Sequence, residues 1–339
     1  MNETIPVGAV ESCVSGTSVE RWMPPASANF TPPWLPPCKR GPCHGDLWRS
    51  GMVPLLPMSF RVALWDQGEG TVLLAFGCSI SISGMSEVCL CRLFVSADAK
   101  RMNASWYRES WPAMISGWRQ ELKQPGLPFV YVELDGQMHD EEPHDTVDFW
   151  AAQRAGSDLL AVGFATTTDI QRGTHPPDKQ DVAVRLALEV RRVALGERIV
   201  SRGPELLSVG ATRLGNNGAT GLVLTFSNNS LVSAGGVLVN SSCTGKQPPK
   251  WCGHGCGGQN KADSLAMDAA SNQPLHYTIS EGEVTVECLG PNSRVRINSD
   301  SSRCFLYAAG GSTAVPGGLQ LPAPPVLVRC NHTDGGLAA

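Results

Sequence analysis

The sequence contains no long run of basic residues and no apolar run of membrane-spanning length. Lys and Arg occur at most in pairs such as Arg191-Arg192, and a net charge of -4 is spread over 339 residues. Because nucleic-acid binding needs a concentrated basic patch, this pattern argues against such a partner. The longest apolar stretch, Val72 to Met85, is broken by serines and is too short to cross a bilayer. A composition of 42% hydrophobic and 17% charged residues is that of a globular protein with one large or two ordinary domains.

The first ten residues lack the pattern of a signal peptide, since they carry Glu3 and have neither a basic start nor a long apolar core. Twelve cysteines are nevertheless many for a cytosolic chain. Six glycosylation sequons, each a weak signal alone, point the same way, and they begin at Asn2, Asn29, Asn103, Asn228, Asn240 and Asn331. We expect a secretory-pathway protein, extracellular or lysosomal, unless the chain is not secreted. A secreted protein would have a precursor that begins upstream of Met1.

The first two thirds of the chain predict strands that alternate with helices after a proline-rich start. Strands are predicted over residues 55–65, 129–134 and 159–165. A helix with Pro112 in its first turn is predicted over residues 110–122, and further helices over 145–154 and 177–193. The apolar face of the first helix consists of Trp111, Met114, Ile115, Trp118 and Leu122. This alternation is typical of a doubly wound α/β fold with a mostly parallel sheet.

Gly203-Pro204 interrupts this pattern, and short β-prone runs separated by Gly, Asn and Ser follow it. We therefore predict two domains, an α/β domain over 1–202 and a β-rich, sandwich-like domain over 203–339. A zinc knuckle at Cys252, His254 and Cys256 is an alternative to disulfide bonds, but a structural zinc site needs a second ligand pair at suitable spacing. Because many cysteines accompany the sequons, disulfide bonds are preferred, and no metal is predicted.

The segment from Asp169 to Lys179 draws attention as a candidate site. It follows a short apolar run, presents His175 in a polar turn, and leads into helical spacing with Pro177 at the expected first turn. Open α/β sheets place their sites outside the carboxyl ends of the strands. A helix N-terminus would also favour a neutral imidazole that can act as a base. A turn histidine without any role is the alternative.

Several blocks in order resemble the sialate O-acetylesterase family, carbohydrate esterases of the SGNH hydrolase superfamily. His175-Pro-Pro-Asp-Lys179 with Val182 to Leu188 resembles the closing motif of that family. Ser15 to Met23, Leu47 to Leu55 and Trp65 to Glu69 resemble its Gly-Gly-Thr-x-Ile-Glu-x-Trp, Leu-Tyr-Asn-Gly-Met-Ile-x-Pro-Leu and Trp-Tyr-Gln-Gly-Glu blocks. The likeness extends from about residue 7 to 205 and, loosely, into the β-rich part.

The resemblance implies hydrolysis of acetyl esters on sugars by a serine nucleophile, with no cofactor. It makes His175 the general base and Asp169 the residue that orients it, although Asp178 is also near in sequence. Gly51, through its amide, and Gln67 are the implied oxyanion donors. Gly68 would form a tight turn of the pocket, and Glu69 would line or brace it. The substrate implied is an acetylated sugar, sialic acid or another glycan.

Two departures from the family pattern affect this reading. The family's serine lies in a Gly-Gln-Ser-Asn-Met block, which does not occur in this sequence, and neither Ser15 nor Ser18 replaces it by position. We therefore expect an N-terminally truncated catalytic domain with little or no activity. Residues 70–96 also look inserted, because the family pattern runs from Glu69 almost directly to Ala97. The alternative function is a non-catalytic secreted module that binds glycans or a protein partner.

Overall fold

The computed structural model describes fifteen parts of the chain, with gaps between them. They are residues 8–14, 17–30, 44–67, 104–134, 144–170, 179–214, 219–226, 238–241, 266–268, 275–280, 282–290, 293–297, 305–308, 321 and 326–330. Within these ranges no helix is long and apolar enough to cross a membrane.

A three-stranded parallel sheet with the order β1-β2-β3 forms the centre of the first part. β1 is Ala63–Trp65, β2 is Phe129–Val132 and β3 is Val162–Ala165. Every residue of β2 and β3 is buried, which fits a parallel sheet covered on both faces. The predicted parallel sheet is confirmed, although β1 is shorter than the predicted strand because residues 53–55 form a 3-10 turn.

Three helices accompany this sheet: α1 over Ala104–Glu121, α2 over His144–Arg154 and α3 over Lys179–Val193. The predicted apolar face of α1 is confirmed, since its five members are all buried. The start predicted for α1 was wrong, because Pro112 lies inside the helix and not in its first turn. An internal proline costs roughly 3 kcal/mol. Full burial of Trp111, Met114 and Ile115 contributes about 1.5–3 kcal/mol each and outweighs that cost.

Tryptophans dominate the core between α1 and the sheet. Trp65 of β1 lies edge-on to Trp22 and Trp118, with ring centroids 6.2 and 5.8 Å apart, and Trp111 is 5.5 Å from Trp65 on another side. Trp48 adds a further ring 5.7 Å from Trp118. This cluster links the segments 17–23 and 44–56 to the sheet, and so fixes two loops that have little regular structure of their own.

A buried carboxylate connects α3 with the chain that leaves the sheet. Glu189 is fully buried and accepts hydrogen bonds from Arg192 and from Ser201. The Arg202 guanidinium lies 3.3 Å from the Glu189 carboxylate, 3.0 Å from that of Glu205, and 4.5 Å from the centre of the Phe164 ring. Residues 201–205 are therefore packed against the parallel sheet unit.

The remaining strands are antiparallel and form three separate sheets with the orders β4-β5-β9-β8, β12-β10-β7 and β11-β6. β4 to β8 are Leu206–Leu214, Ala219–Phe226, Leu238–Ser241, Ala266–Asp268 and Tyr277–Ser280. β9 to β12 are Glu283–Glu287, Arg294–Ile297, Phe305–Ala308 and Val326–Arg329. One apolar cluster takes residues from both larger sheets, and a Cys288–Cys330 disulfide lies within it.

Candidate functional site

Polar residues follow each of the three parallel strands directly. Gln67 comes after β1, Glu133 after β2, and Thr166 to Asp169 after β3. Since parallel strands end at one edge of the sheet, these side chains share the edge where open α/β sheets bind ligands. β1 and β3 lie on opposite sides of β2, so their ends are about 10 Å apart at roughly 4.8 Å per strand.

Gln67 is held by two neighbouring elements. Its side-chain Nε2 donates to the Thr17 carbonyl oxygen at 2.9 Å, and its own carbonyl oxygen accepts from the Tyr107 hydroxyl at 3.3 Å. Thr17 is itself fixed, because its Oγ1 donates to the Val14 carbonyl oxygen at 2.7 Å and accepts from the Trp22 indole at 3.0 Å. The amide of Gln67 thus has a defined orientation at the end of β1.

Gly51 lies in a π-helical turn over Trp48–Met52, a distortion that is frequent at functional sites. A side chain at this position would meet the Ser12 hydroxyl at 2.7 Å and the Trp22 ring at 3.3 Å. The Ser12 hydroxyl donates to the Gly51 carbonyl oxygen at 3.1 Å. Gly51 is therefore required by close packing against the same Trp22 that bonds to Thr17, and Trp22 joins Gly51 and Gln67 in one contact network.

Asp169 is buried beyond the end of β3 and forms a two-pronged ion pair with Arg185 of α3. The Arg185 Nη2 donates to one carboxylate oxygen at 2.8 Å, and Nη1 donates to the other oxygen. Nη1 also donates to the Thr166 carbonyl oxygen at 2.8 Å. This arrangement ties the end of β3 to α3.

Glu133 is a site residue that sequence reasoning missed. It is fully buried at the end of the central strand, and its carboxylate accepts from Arg154 Nε at 2.7 Å and from the Thr166 hydroxyl at 2.8 Å. Burial, together with the charge of Glu133, raises the pKa of Tyr131 well above its ordinary value. The signal in the sequence is the position of Glu133 immediately after an apolar strand. A glutamate that is buried at such a position needs a hydrogen-bonding or charged partner.

The structure brings some of the predicted site residues together. Gly51 packs against Trp22, the Trp22 indole donates to Thr17, and Gln67 donates to the Thr17 carbonyl oxygen. Asp169 lies on the same edge of the sheet. His175, Gly68 and Glu69 lie outside the described residues, as do the suggested insertion at 70–96 and the Cys252 to Cys256 segment. In the parts of the chain given above, no group of three His, Cys, Asp or Glu side chains could hold a metal ion.

The relatives found by comparison with known proteins are named for the same activity. The chain is 23% identical over 360 residues to a sialate O-acetylesterase from Pongo abelii, covering 98% of this chain and 59% of that protein. It is 25% identical over 233 residues to the Homo sapiens sialate O-acetylesterase, covering 59% of this chain and 38% of that protein. No family model matches.

A solved structure shares the fold. The crystal structure of a carbohydrate acetylesterase from Xanthomonas citri superposes with a TM-score of 0.60 at 23% identity, covering 92% of this chain and 59% of that one. The chain thus spans little more than half the length of its Pongo abelii relative and of the solved acetylesterase. The chain is thus similar in sequence to sialate O-acetylesterases and in fold to a carbohydrate acetylesterase.

Proposed function

We propose that the chain is part of a carbohydrate O-acetylesterase that hydrolyses acetyl esters on sugars by serine-type acyl transfer. The observation that carries this proposal is the network at the sheet edge in which Trp22 packs on Gly51 and, through Thr17, orients Gln67. Gly51 and Gln67, the implied oxyanion donors, lie in separate blocks of the sequence, yet both connect to Trp22, Gly51 directly and Gln67 through Thr17. Relatives named sialate O-acetylesterase and carbohydrate acetylesterase support the substrate class of an acetylated sugar.

In this mechanism a serine attacks the acetyl carbonyl while His175 removes the serine proton, and Asp169 orients the imidazole. Negative charge develops on the carbonyl oxygen, where preorganised donors lower the barrier. The Gly51 amide and Gln67 are the proposed donors, and Gly68 and Glu69 shape the pocket beside them. Arg185 keeps the Asp169 carboxylate in a fixed orientation, which suits a residue whose task is to align a base. No cofactor is needed.

The finer architecture belongs to the same proposal. We assign residues 1–202 to an SGNH-type three-layer domain and residues 203–339 to a sandwich-like domain whose two larger antiparallel sheets share one apolar cluster. A secretory-pathway location fits the Cys288–Cys330 disulfide. The segment 70–96 is proposed to be an unspliced intron in the gene model. Transcript reads that join the codons of Glu69 and Ala97 would support this, whereas even coverage of the segment would contradict it.

The chain as printed contains no Gly-Gln-Ser-Asn-Met block, so we expect it to be nearly inactive. Members of a catalytic triad act as a unit, and removal of the nucleophile leaves only residual catalysis. The purified chain is assayed with 4-nitrophenyl acetate beside the variant His175→Ala. We expect both proteins to hydrolyse the ester at the same rate, close to background. If the purified chain turns over the ester and His175→Ala abolishes this activity, the expected inactivity is wrong.

The activity itself is tested on a longer protein. If genomic sequence upstream encodes the serine block in frame, the extended protein is expected to release acetate from an O-acetylated sialic acid or another O-acetylated sugar. Gln67→Ala should lower kcat by about 100-fold or more, the typical cost of losing an oxyanion donor. Gly51→Ala keeps its backbone N–H and should lower kcat by displacing that amide, because the new methyl group would meet the Ser12 hydroxyl at 2.7 Å. Exposed Arg198→Gln serves as the control that leaves the rate unchanged. An extended, folded protein without esterase activity would refute the proposal.

A further inference from the structure

Two buried ionisable side chains near the candidate site each have a polar atom without a hydrogen-bond partner. Glu20 is 5% exposed, and its Oε1 accepts from the Trp106 indole at 2.6 Å, while its Oε2 is buried without a partner. The Nε2 of half-buried His44 is likewise buried without one. A buried polar atom without a partner costs about 1–3 kcal/mol, so each of these atoms calls for a physical reason.

The backbone brings these two residues side by side. The Gly45 N–H donates to the Glu20 carbonyl oxygen at 2.9 Å, and the next side chains along, Arg21 and Asp46, form an ion pair at 2.7 Å. Residues 20–21 therefore lie against residues 44–46. Arg21 and Asp46 neutralise each other, so Glu20 and Arg49 are the charges that act on the His44 imidazole.

The state of His44 at neutral pH follows from these surroundings. Burial lowers the pKa of His44 below its ordinary value, the nearby Glu20 carboxylate opposes this shift, and Arg49 adds to it. The imidazole is therefore neutral at pH 7. A neutral imidazole donates from one ring nitrogen, whereas an imidazolium donates from both. An imidazolium therefore offers Nε2 as a donor for Glu20 Oε2 whichever ring nitrogen carries the proton of the neutral form.

We propose that His44 and Glu20 form a proton-operated contact, in which a proton taken from solvent by the His44 imidazole makes Nε2 a donor to Glu20 Oε2. The bond that forms pulls residues 44–46 towards the turn Val19–Trp22. These two segments also carry Gly51 on one side and Trp22 with Thr17 on the other, so acidification tightens the packing around the candidate site. Trp106 reports on the change, because its indole N–H binds the same carboxylate.

The experiment is a pH titration of the purified chain by NMR. It requires no esterase activity, so its result is independent of the proposed function. The His44 ring resonances are assigned by their loss in His44→Gln, and the Trp106 indole N–H by its loss in Trp106→Phe. We expect the Trp106 resonance to shift with the same midpoint as His44, and to stay constant over that range in His44→Gln.

Two further variants fix the direction of the coupling. Glu20→Gln keeps an acceptor for Trp106 but removes the charge, so the His44 midpoint is expected to fall and the Trp106 shift to disappear. Arg49→Gln, at an exposed position that leaves folding intact, is expected to raise both midpoints together. A His44 titration that leaves the Trp106 resonance unmoved overturns the proposal. So does an Arg49→Gln variant in which the midpoints separate, and this variant also decides the matter if Glu20→Gln does not fold.

Discussion

Replacement of Arg185 by methionine should remove one partner of a buried ion pair and leave the other in place. Asp169 and Arg185 are 4% and 5% exposed, so the remaining carboxylate would stay out of water without the Arg185 guanidinium that faces it. Two charge-assisted hydrogen bonds to the carboxylate would be lost, at about 1.5–3 kcal/mol each, together with the bond to the Thr166 carbonyl oxygen. This agrees with the roughly 3–5 kcal/mol usually lost when a buried pair is broken. We expect Arg185→Met to destabilise the protein by that amount.

The assay is urea denaturation followed by tryptophan fluorescence, which reports on the tryptophan cluster around the parallel sheet. With a slope of about 2 kcal/mol per molar urea, the midpoint should fall by roughly 1.5–2.5 M. The double variant Asp169→Asn with Arg185→Met leaves no buried charge and should lose about 2 kcal/mol less than the sum of the two single variants.

A matched control comes from the same helix. Arg191 pairs with Glu197 at 2.6 Å, but both side chains are about one third exposed, and Arg191→Met should leave the midpoint unchanged. An Arg185→Met variant that loses under about 1 kcal/mol would refute the reasoning. So would single and double variants whose effects add simply, because the Asp169 carboxylate would then not depend on Arg185.

Three other outcomes are expected from features of the structure. Gly117→Ala should destabilise the protein by about 1–3 kcal/mol in thermal or urea unfolding because the new methyl group would collide with the Ser27 hydroxyl, whereas Gly126→Ala, in open space, should be neutral. Burial lowers the folded pKa of His44, so the unfolded state binds more protons and stability should fall as the pH drops below about 6.5; His44→Gln should flatten that part of the stability curve. Cys288→Ser opens a loop with a sequence separation of 42 and should cost about 4 kcal/mol in the unfolding of the β-rich part, a loss that reduction of the wild type should reproduce.

Local pattern was sufficient for most elements of the parallel sheet unit. The apolar face of α1 and the strand β2 could be predicted because apolar spacing and turn residues agree there. β4 was missed, since exposed and half-buried residues do not alternate regularly along Leu206–Leu214. The start of α1 was predicted wrongly because a local rule for proline took no account of the burial of Trp111.

The candidate site could be predicted only in part. Gly51, Gln67 and Asp169 were predicted through their family blocks, and the place of Gln67 and Asp169 at one sheet edge follows from strand order. The contacts that hold them depend on residues distant in sequence, such as Thr17 for Gln67 and Arg185 for Asp169. Glu133 could not be recognised, because a glutamate after a strand is as common in solvent as in a buried network, and only the positions of Arg154 and Thr166 decide between the two.

The buried Glu189 carboxylate determines where the first part of the chain can be separated from the rest. A cut between residues 202 and 203 would remove Glu205, which binds the Arg202 side chain that in turn faces Glu189. Arg202 would then be the last residue of the chain, where fraying would weaken its ion pair with Glu189. A separately expressed α/β unit should therefore extend through Glu205. Residues 201–205 belong to the packed structure of the first part, so they do not act as a flexible hinge between the two parts.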